Sequence, residues 1–226
     1  MPIVEREALR EGRSVIGVDE VGRGAWAGPL AVGAVLRSGS HDAPAGLDDS
    51  KRLSASRREA LVEPLRQWAG AVSIGWASAA EIDQWGVRVA LGVAARRALS
   101  DLLPLAGTHP LVLVDGPLDL LHPPLPLAID PPAGWGLVVP AAEPIVGGDH
   151  ASPSIAAASV LAKVERDAWM CRRDEDIPGY EWSRNKGYGT GGHRRALDRL
   201  GPSVEHRRSW KPFANTGPGD RGGPAD

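Results

Sequence analysis

Residues 15–29 read VIGVDEVGRGAWAGP. The apolar run at the start is typical of a short buried strand, and it ends in two carboxylates, Asp19 and Glu20. Adjacent strand residues point to opposite faces, so these acids can share a site only if the strand breaks there. The glycines on either side of Arg23 permit a break and a close approach by a ligand. The stretch therefore indicates a divalent metal beside an anionic substrate; the alternative is a hairpin with two solvated acids.

Size and composition are those of a globular protein. The chain has 226 residues, 42% hydrophobic and 24% charged, which suits one domain or one domain with a small appendage. Cys171 is the single cysteine, so no internal disulfide can form. The start of the chain lacks a signal-peptide pattern and no apolar run is long enough for a bilayer, so we expect a cytoplasmic protein. The formal net charge of −2 gives no overall indication of nucleic-acid binding.

The N-terminal half alternates strand and helix patterns after a polar segment, residues 1–13, which we expect to be a loose lead-in. The predicted elements are a hairpin of strands over Val15–Glu20 and Pro29–Leu36, a helix from a Ser56–Glu59 capping box to about Trp68, a strand over Ala71–Ala77, and a helix from a Ser78–Glu81 capping box to a stop before Pro104.

The C-terminal half contains strands, a proline-rich loop and two helices. The predicted elements are a buried strand over Leu111–Val114, a loop over 117–142, a short strand over Pro144–Val146, a helix over Ser154–Cys171 that begins at Ser152-Pro153, and a helix over Gly192–Leu200 that Gly201 ends. Small residues at the start of the first helix favour tight packing against a sheet. The tail, residues 214–226, is rich in glycine and proline and is expected to be disordered.

Three predicted strands end in acids that stand close to glycine, namely Asp19 with Glu20, Asp115, and Asp149. Any one of them alone would be an ordinary turn residue. If the four converged, they would bind hard cations through oxygen and would repel one another without a cation. Two Mg²⁺ ions about 4 Å apart in such a site can activate a water and stabilise the leaving oxygen of a phosphodiester.

The segment 182–212 has a different character from the rest of the chain. Its basic residues are Arg184, Lys186, Arg194, Arg195, Arg199, Arg207, Arg208 and Lys211, and its acids are Asp198 and Glu205, which gives a local net charge of +6. Three aromatic residues, Trp182, Tyr188 and Trp210, are interleaved with them. Basic and aromatic residues together are typical of a nucleic-acid surface.

Five motifs in order resemble ribonuclease HII: DEVGRG at 19–24, LDDSKRLS at 47–54, VDG at 114–116, SIAAASVLAKVERD at 154–167, and NKGYGT at 185–190 followed by His193. The resemblance spans residues 14 to 212 and implies an α/β, ribonuclease H-like fold: a mixed five-stranded sheet flanked by helices, with a helical C-terminal extension. It divides the chain into the lead-in at 1–13, a catalytic domain at 14–175, a basic and aromatic substrate-binding extension at 176–213, and the tail at 214–226.

The resemblance also implies an activity. A protein of this family would cleave the RNA strand of RNA–DNA hybrids endonucleolytically with two Mg²⁺ or Mn²⁺ ions. It would also cut on the 5′ side of single ribonucleotides embedded in duplex DNA, leaving 3′-hydroxyl and 5′-phosphate ends. We expect hybrids and ribonucleotide-containing DNA as partners, no membrane, and a monomer.

The site residues follow from the same motifs. As implied by the resemblance, the metal ligands are Asp19, Glu20, Asp115 and Asp149. The loop Gly22, Arg23 and Gly24 reads the 2′-hydroxyl, which distinguishes RNA from DNA. Tyr188 stacks on the sugar of the following nucleotide, and Lys51 and Lys186 contact phosphates.

Some positions leave alternatives open. Family members usually carry lysine before Asp149, where this chain has Gly148, and the long proline-rich loop makes Asp130 and Glu143 rivals for the fourth ligand. Tyr188 could be a turn aromatic, and Lys51 could be simply solvated. In addition, His193 is interpreted as a structural residue, Asp167 as the partner of a basic residue, and Cys171 as inert.

Three other functions compete with a ribonuclease HII. A hybrid-binding protein with an inactive site would lack a ligand acid, and none is missing here. Ribonuclease HIII carries an extra N-terminal substrate-binding domain, for which the 13 or so residues before the first strand leave no room. A phosphate-binding loop for nucleotides would need lysine and serine or threonine after its glycines, which the Gly-Arg-Gly loop lacks.

Overall fold

The computed structural model describes residues 1–39, 41–116, 121–125, 132–133 and 135–210. Its strands are β1 (Val15–Val21), β2 (Leu30–Arg37), β3 (Ala71–Ala77), β4 (Leu111–Asp115) and β5 (Ala142–Ile145). Its α-helices are α1 (Ile3–Arg10), α2 (Ala55–Trp68), α3 (Ala79–Leu102), α4 (Gly148–Ala151), α5 (Pro153–Asp176), α6 (Trp182–Asn185) and α7 (Gly191–Leu200). No helix in these ranges is both long and apolar enough to cross a bilayer.

The five strands form one mixed sheet in the order β3-β2-β1-β4-β5. The first three strands are antiparallel neighbours, whereas β4 and β5 run parallel to β1. The two parallel strands need crossover connections, and α3 lies in the first of them. The predicted mixed five-stranded sheet is confirmed.

Helices cover both faces of the sheet, which explains why β2 is buried along its whole length and β1 over its first five residues. Helix α3 packs on the face that carries Ile16 and Val18, and α5 packs on the opposite face. A Cβ atom at Gly17 would collide with the Ser154 carbonyl group, and one at Gly33 with the carbonyl oxygen of Ala158. Glycines in the strands and small residues in the helix therefore bring α5 close to β1, as the sequence predicted.

The N-terminal segment differs from its prediction as a loose lead-in. Residues Ile3–Arg10 form α1, whose Leu9 packs with Val15 of β1. Glu5 is fully buried; its carboxylate lies 3.2 Å from the Arg37 guanidinium and accepts hydrogen bonds from Ser152 Oγ (2.7 Å) and Ser154 Oγ (2.6 Å). The prediction failed because Glu5, in a segment whose polar residues suggested a loose lead-in, is instead buried with a full set of partners.

Helix ends follow the predicted capping chemistry in two places and depart from it in one. The capping box of Ser78 and Glu81 begins α3, and Ser152 caps α5. Helix α2 instead begins after Ser54, whose hydroxyl accepts from the Arg57 N–H, so the predicted Ser56–Glu59 box is wrong. Both serines precede the same helical pattern, and the sequence does not tell which one the chain leaves in an extended conformation.

Other boundaries shift by a few residues. Strand β1 continues through Val21 and does not break at its acids, α5 continues beyond Cys171, and β5 lies two residues earlier at its start than predicted. Gly86, with φ of 77°, interrupts α3, which the sequence analysis did not predict. The predictions for the tail at 214–226, for Lys211 and for Asp130 lie outside the described residues, as does much of the loop at 117–142.

Candidate active site

A cavity of about 190 Å³ opens at the end of β1. It brings together most of the predicted site residues, because its lining includes Asp19, Glu20, Gly22, Arg23, Gly24, Lys51, Asp115 and Tyr188. Four residues that were not predicted also line it, namely Val21, Ser50, Ser159 and Lys163. Two predicted residues, Asp149 and Lys186, are not among the lining residues.

The sheet explains how the acids meet. Strands β1 and β4 are parallel neighbours in which Val18 pairs with Val114, so Asp19 and Asp115 follow at the same edge of the sheet. Glu20 shares the cavity with Asp19 although the strand is unbroken, because the cavity extends around the strand end and residues 19–24 all line it. The Glu20 N–H donates to Asp19 Oδ1 over 2.8 Å, which holds this end of the strand.

Burial leaves the negative charges of these carboxylates poorly compensated. Desolvation raises the pKa of Asp19 to about 8; a hydrogen bond from Ser159 opposes the shift, and the charges of Glu20 and Asp115 add to it. Burial also raises the pKa of Glu20, against the attraction of Arg23, whose Nη1 lies 3.7 Å from Glu20 Oε1. An additional positive charge in the cavity would therefore stabilise the ionised form of both acids.

Asp149 lies next to this group but its carboxylate is directed to a lysine. The N–H groups of Gly148 and Asp149 donate to Asp115 Oδ1 over 2.7 and 3.3 Å. Asp149 Oδ2 lies 3.2 Å from Lys51 Nζ, and the Lys51 side chain is 75% exposed. A Cβ atom at Gly148 would lie 2.6 Å from Ile155 Cδ1 and 3.3 Å from Asp115 Oδ1, so Gly148 packs closely against the site.

The donor set suits a hard divalent cation in its chemistry. Asp19, Glu20, Asp115 and the neighbouring Asp149 offer only carboxylate oxygens, the ligands that Mg²⁺ and Mn²⁺ prefer. Within the described ranges, no three aspartate, glutamate, histidine or cysteine side chains are grouped closely enough to hold one ion. Glu143, the described rival for the fourth ligand, lies in β5 and does not line the cavity.

Two buried arginines hold the Gly-Arg-Gly loop against the rest of the protein. Arg166 of α5 packs against Gly22, whose φ of 84° and lack of a Cβ make room for the guanidinium. It donates to the carbonyl oxygens of Pro29 (2.8 Å) and Lys186 (3.0 Å). Arg207 donates to those of Arg23 (2.9 Å) and Gly28 (3.0 and 2.9 Å). Carbonyl partners therefore fix the loop that forms one wall of the cavity.

The family model described as Ribonuclease HII matches residues 16–213. The chain belongs to the ribonuclease HII family. It is 46% identical to the Ribonuclease HII of Halorhodospira halophila over 203 residues, which cover 88% of this chain and 92% of the relative. It is also 46% identical to that of Thermus thermophilus over 212 residues, which cover 93% of each protein.

Solved structures share the fold. A chain of the PCNA:RNase HII complex from Archaeoglobus fulgidus superposes with a TM-score of 0.64 at 26% identity, covering 87% of this chain and 94% of that chain. The structure of Bst-RNase HIII in complex with Mn²⁺ gives a TM-score of 0.66 at 16% identity, covering 90% of this chain and 68% of that chain, which shows the fold alone. The predicted ribonuclease H-like fold is therefore confirmed.

Family membership makes this ribonuclease HII homologue a ribonuclease H, a nuclease that acts on RNA–DNA hybrids. The prediction of an enzyme is confirmed, and the nucleotide-binding loop is not the function of the Gly-Arg-Gly segment. The match to ribonuclease HII over most of the chain also favours this family over ribonuclease HIII.

The structure places several residues of these motifs differently from the sequence analysis. Lys186 directs its ammonium to Cys171 Sγ (2.8 Å) and to the Ser183 carbonyl oxygen. Lys163, which was not predicted, lines the cavity, and its Nζ lies 2.6 Å from Asp167 Oδ1, which confirms that Asp167 pairs with a basic residue. Arg207 was counted as part of a basic surface but is fully buried. The signal that could have revealed Lys163 and Arg166 is their place on the same helix as the small residues 156–159, which indicated close packing against the sheet.

A cluster of buried rings lies behind Tyr188. It contains His193, His206, Tyr180 and Trp182. The Nδ1 atom of His193 lies 3.0 Å from the Tyr188 carbonyl oxygen, and the His193 N–H donates to Thr190 Oγ1, which confirms the prediction that this histidine satisfies backbone groups. His206 was not predicted to have a role.

His206 should make the stability of this fold pH-dependent. Burial lowers its pKa from 6.5 to about 4, and the charges of His193 and Arg208 add to the shift. The folded state therefore binds fewer protons than the unfolded state between these values, and stability falls as the pH falls from 6.5 towards 4. We expect His206 to contribute a loss of roughly 2 kcal/mol to the free energy of unfolding. Asp19, whose pKa is raised to about 8, contributes in the opposite sense with or without His206, so the difference between wild type and variant is what reports on His206.

Urea unfolding of the wild type and of His206→Gln at about pH 7.5 and about pH 4.5 measures this loss. The glutamine side chain does not titrate, so the variant should lose less stability between the two pH values than the wild type. An equal loss in both proteins would show that His206 does not contribute.

Proposed function

We propose that this protein hydrolyses the RNA strand of RNA–DNA hybrids, and cuts 5′ of single ribonucleotides embedded in duplex DNA, with two divalent metal ions. The observation that carries the proposal is the shared cavity. Three carboxylates, the Gly22–Gly24 loop and Tyr188 all line one space of about 190 Å³. Groups that could hold a cation thus adjoin groups that could recognise a ribose.

In this proposal Asp19, Glu20, Asp115 and Asp149 hold Mg²⁺ or Mn²⁺. When bound, the ions supply an activated water and stabilise the leaving oxygen, which gives 3′-hydroxyl and 5′-phosphate ends. The buried carboxylates favour cation binding because their negative charges are uncompensated, as the pKa of Asp19, raised to about 8, indicates. The pairing of Asp149 with Lys51 must loosen for Asp149 to act as a ligand.

In this proposal the Gly22–Gly24 loop recognises the 2′-hydroxyl. Among the described residues, no atom outside its immediate chain neighbours lies within 4 Å of the position that a Cβ would occupy at Gly24, so a substrate can approach the backbone there. Arg207 holds the loop from behind through the Arg23 carbonyl oxygen, and the Arg166 side chain packs against Gly22. A fixed backbone discriminates better than a mobile one, because a substrate without the 2′-hydroxyl leaves its polar groups unpaired.

Tyr188 and the lysines complete the proposed substrate site. Tyr188 is 36% exposed and lines the cavity, so its ring is available to stack on a sugar. Lys51 is exposed beside the acids and is proposed to contact a phosphate. A phosphate contact by Lys186 would require its ammonium to leave Cys171 and Ser183.

We further propose that residues 14–175 form the catalytic domain and residues 176–213 the substrate-binding extension. The extension supplies Tyr188 to the cavity, and its described part carries most of the basic segment. With a single cysteine and no need for disulfides, the protein is proposed to act as a monomer in the cytoplasm.

Metal dependence is the most general test of this function. Cleavage of a labelled uniform RNA–DNA hybrid should proceed with Mg²⁺ or Mn²⁺ and fall by about a thousandfold or more with EDTA, because the acids alone cannot activate water. Excess Mn²⁺ should restore it. Calorimetric titration should show Mn²⁺ binding to the wild type and much weaker binding to Asp19→Asn, with the exposed Asp101→Asn as the matched control. EDTA-resistant cleavage, or equal Mn²⁺ binding by both variants, would contradict the metal site.

A further inference from the structure

A chain of buried hydrogen bonds leads from the C-terminal segment to the backbone of Tyr188. The Ser203 N–H donates to His206 Nδ1 over 2.9 Å, and His206 Nε2 lies 3.0 Å from His193 Nε2. The Trp182 indole N–H donates to the same His193 Nε2 over 3.3 Å, and His193 Nδ1 lies 3.0 Å from the Tyr188 carbonyl oxygen. The His193, His206 and Trp182 side chains are 0%, 2% and 0% exposed.

The donors and acceptors along this series of hydrogen bonds fix the tautomer of each histidine. A backbone N–H can only donate, so His206 Nδ1 accepts and the proton of a neutral ring is on Nε2. An indole N–H can only donate, and a carbonyl oxygen can only accept. His193 therefore accepts at Nε2 and donates from Nδ1 to the Tyr188 carbonyl. The His206 Nε2–H then donates to His193 Nε2, whose single lone pair is shared between this N–H and the Trp182 indole N–H, and both rings are neutral.

Burial supports the neutral state of both rings. It lowers the pKa of His193, and it lowers that of His206 to about 4. An additional proton on His193 Nε2 would face the indole N–H and the imidazole N–H, which are both donors. The hydrogen bonds are therefore all donated in one direction, from Ser203 towards Tyr188, and the last of them ends on the Tyr188 carbonyl oxygen.

The backbone of Tyr188 is restrained by hydrogen bonds and by the packing of its two neighbours in the chain. Gly187, with φ of 85°, and Gly189 flank it, and both glycines pack too closely against the Trp26–Ala27 segment to carry a side chain. The Tyr188 N–H donates to the Asn185 carbonyl, and the Tyr188 carbonyl also accepts from the Thr190 N–H over 2.8 Å. The ring itself is partly exposed, with the Arg166 guanidinium carbon 5.7 Å from its centre. The backbone of Tyr188 is thus held on both sides, and the bond from His193 is a second donor to its carbonyl oxygen beside Thr190.

We propose that His193, oriented by His206, is a positioning residue that holds the Tyr188 ring for recognition of the ribose at an embedded ribonucleotide. This inference rests on the substrate role of Tyr188 given under the proposed function. His193 touches no substrate and acts only through the carbonyl of Tyr188. Its loss should therefore affect the choice between substrates that depend on Tyr188 to different degrees.

Two substitutions at His193 separate the donor from the bulk of the ring. His193→Asn places an amide N–H close to the position of Nδ1 and keeps a donor for Tyr188, but does not reach His206. His193→Gln places its amide near the position of Nε2 and keeps a partner for His206, but lacks the donor to Tyr188. Both variants remove an imidazole from the same buried place, so each is a control for the structural cost of the other.

The readout is the ratio of kcat/KM on a DNA duplex with one ribonucleotide to kcat/KM on a uniform hybrid. We expect His193→Gln to lower this ratio by about tenfold, the value of one lost hydrogen bond, and His193→Asn to recover most of it. In a Tyr188→Ala background, His193→Gln should leave the ratio unchanged, because no ring remains to be positioned. Melting temperatures of all variants show whether the two amides disturb folding equally.

The outcomes distinguish this inference from the proposed function. If Tyr188→Ala leaves the ratio unchanged, the substrate role of Tyr188 is wrong and the inference falls with it. If Tyr188→Ala lowers the ratio but His193→Gln does not, only the inference is overturned. Equal losses on both substrates in the asparagine and glutamine variants, in parallel with their melting temperatures, would show that His193 is merely structural and would also overturn it.

Discussion

Replacing Asp115 with asparagine should reduce kcat on an RNA–DNA hybrid by about a thousandfold or more while hybrid binding stays largely intact. Asp115 ends β4 beside Asp19, in the cavity where we propose that the metal ions bind. Asparagine is nearly isosteric, and its Oδ1 can still accept from Gly148 and Asp149. The substitution therefore removes one charge and one ligand oxygen but keeps the local backbone.

Single-turnover cleavage and equilibrium binding of the same labelled hybrid would measure the two effects separately. Asp101→Asn is the matched control, because it makes the same chemical change at an exposed carboxylate whose partner is Ser73. Near-normal turnover of Asp115→Asn would show that the carboxylate cluster is not the metal site. Loss of binding together with turnover would show that Asp115 supports the substrate surface.

The second large effect is expected at Tyr188. Tyr188→Ala should slow cleavage of a duplex with one ribonucleotide by roughly tenfold to a hundredfold, the range that a lost aromatic stacking contact gives. A uniform hybrid should be affected less, because it offers many other positions for cleavage. Tyr188→Phe keeps the ring and should retain most of the activity, so it separates stacking from the hydroxyl. Unchanged rates for Tyr188→Ala on the embedded ribonucleotide would mean that this residue is only a turn aromatic.

The strand-end acids show how far sequence analysis reaches. An apolar run followed by a carboxylate and glycine predicted where β1 and β4 end, and parallel pairing then brings Asp19 and Asp115 to one edge. Strand pairing is a property of the whole sheet, so the sequence made this convergence plausible without showing it. The position of Asp149 depends on the short helix α4 and on Lys51, two features that no local pattern encodes.

Buried charges were the main source of error. The sequence analysis placed Glu5 in a loose polar lead-in and Arg207 on a basic surface, because charged side chains are mostly exposed. In the structure, each is buried among partners more than 30 positions away in the chain, Arg37 and Ser152 for Glu5, and Gly28 for Arg207. Patterns of hydrophobicity along the sequence contain no information about such long-range pairs. The histidine network behind Tyr188 was missed for the same reason, since His206 meets His193 only in the folded chain.

Cleavage of a labelled DNA duplex that contains one ribonucleotide tests the central claim most directly. With Mg²⁺ or Mn²⁺, we expect one cut on the 5′ side of that ribonucleotide, with 3′-hydroxyl and 5′-phosphate ends, and no cut with EDTA. Cleavage of a uniform hybrid but not of this duplex would contradict the roles of the Gly22–Gly24 loop and Tyr188. Binding of both substrates without cleavage of either would contradict the account of the active site itself.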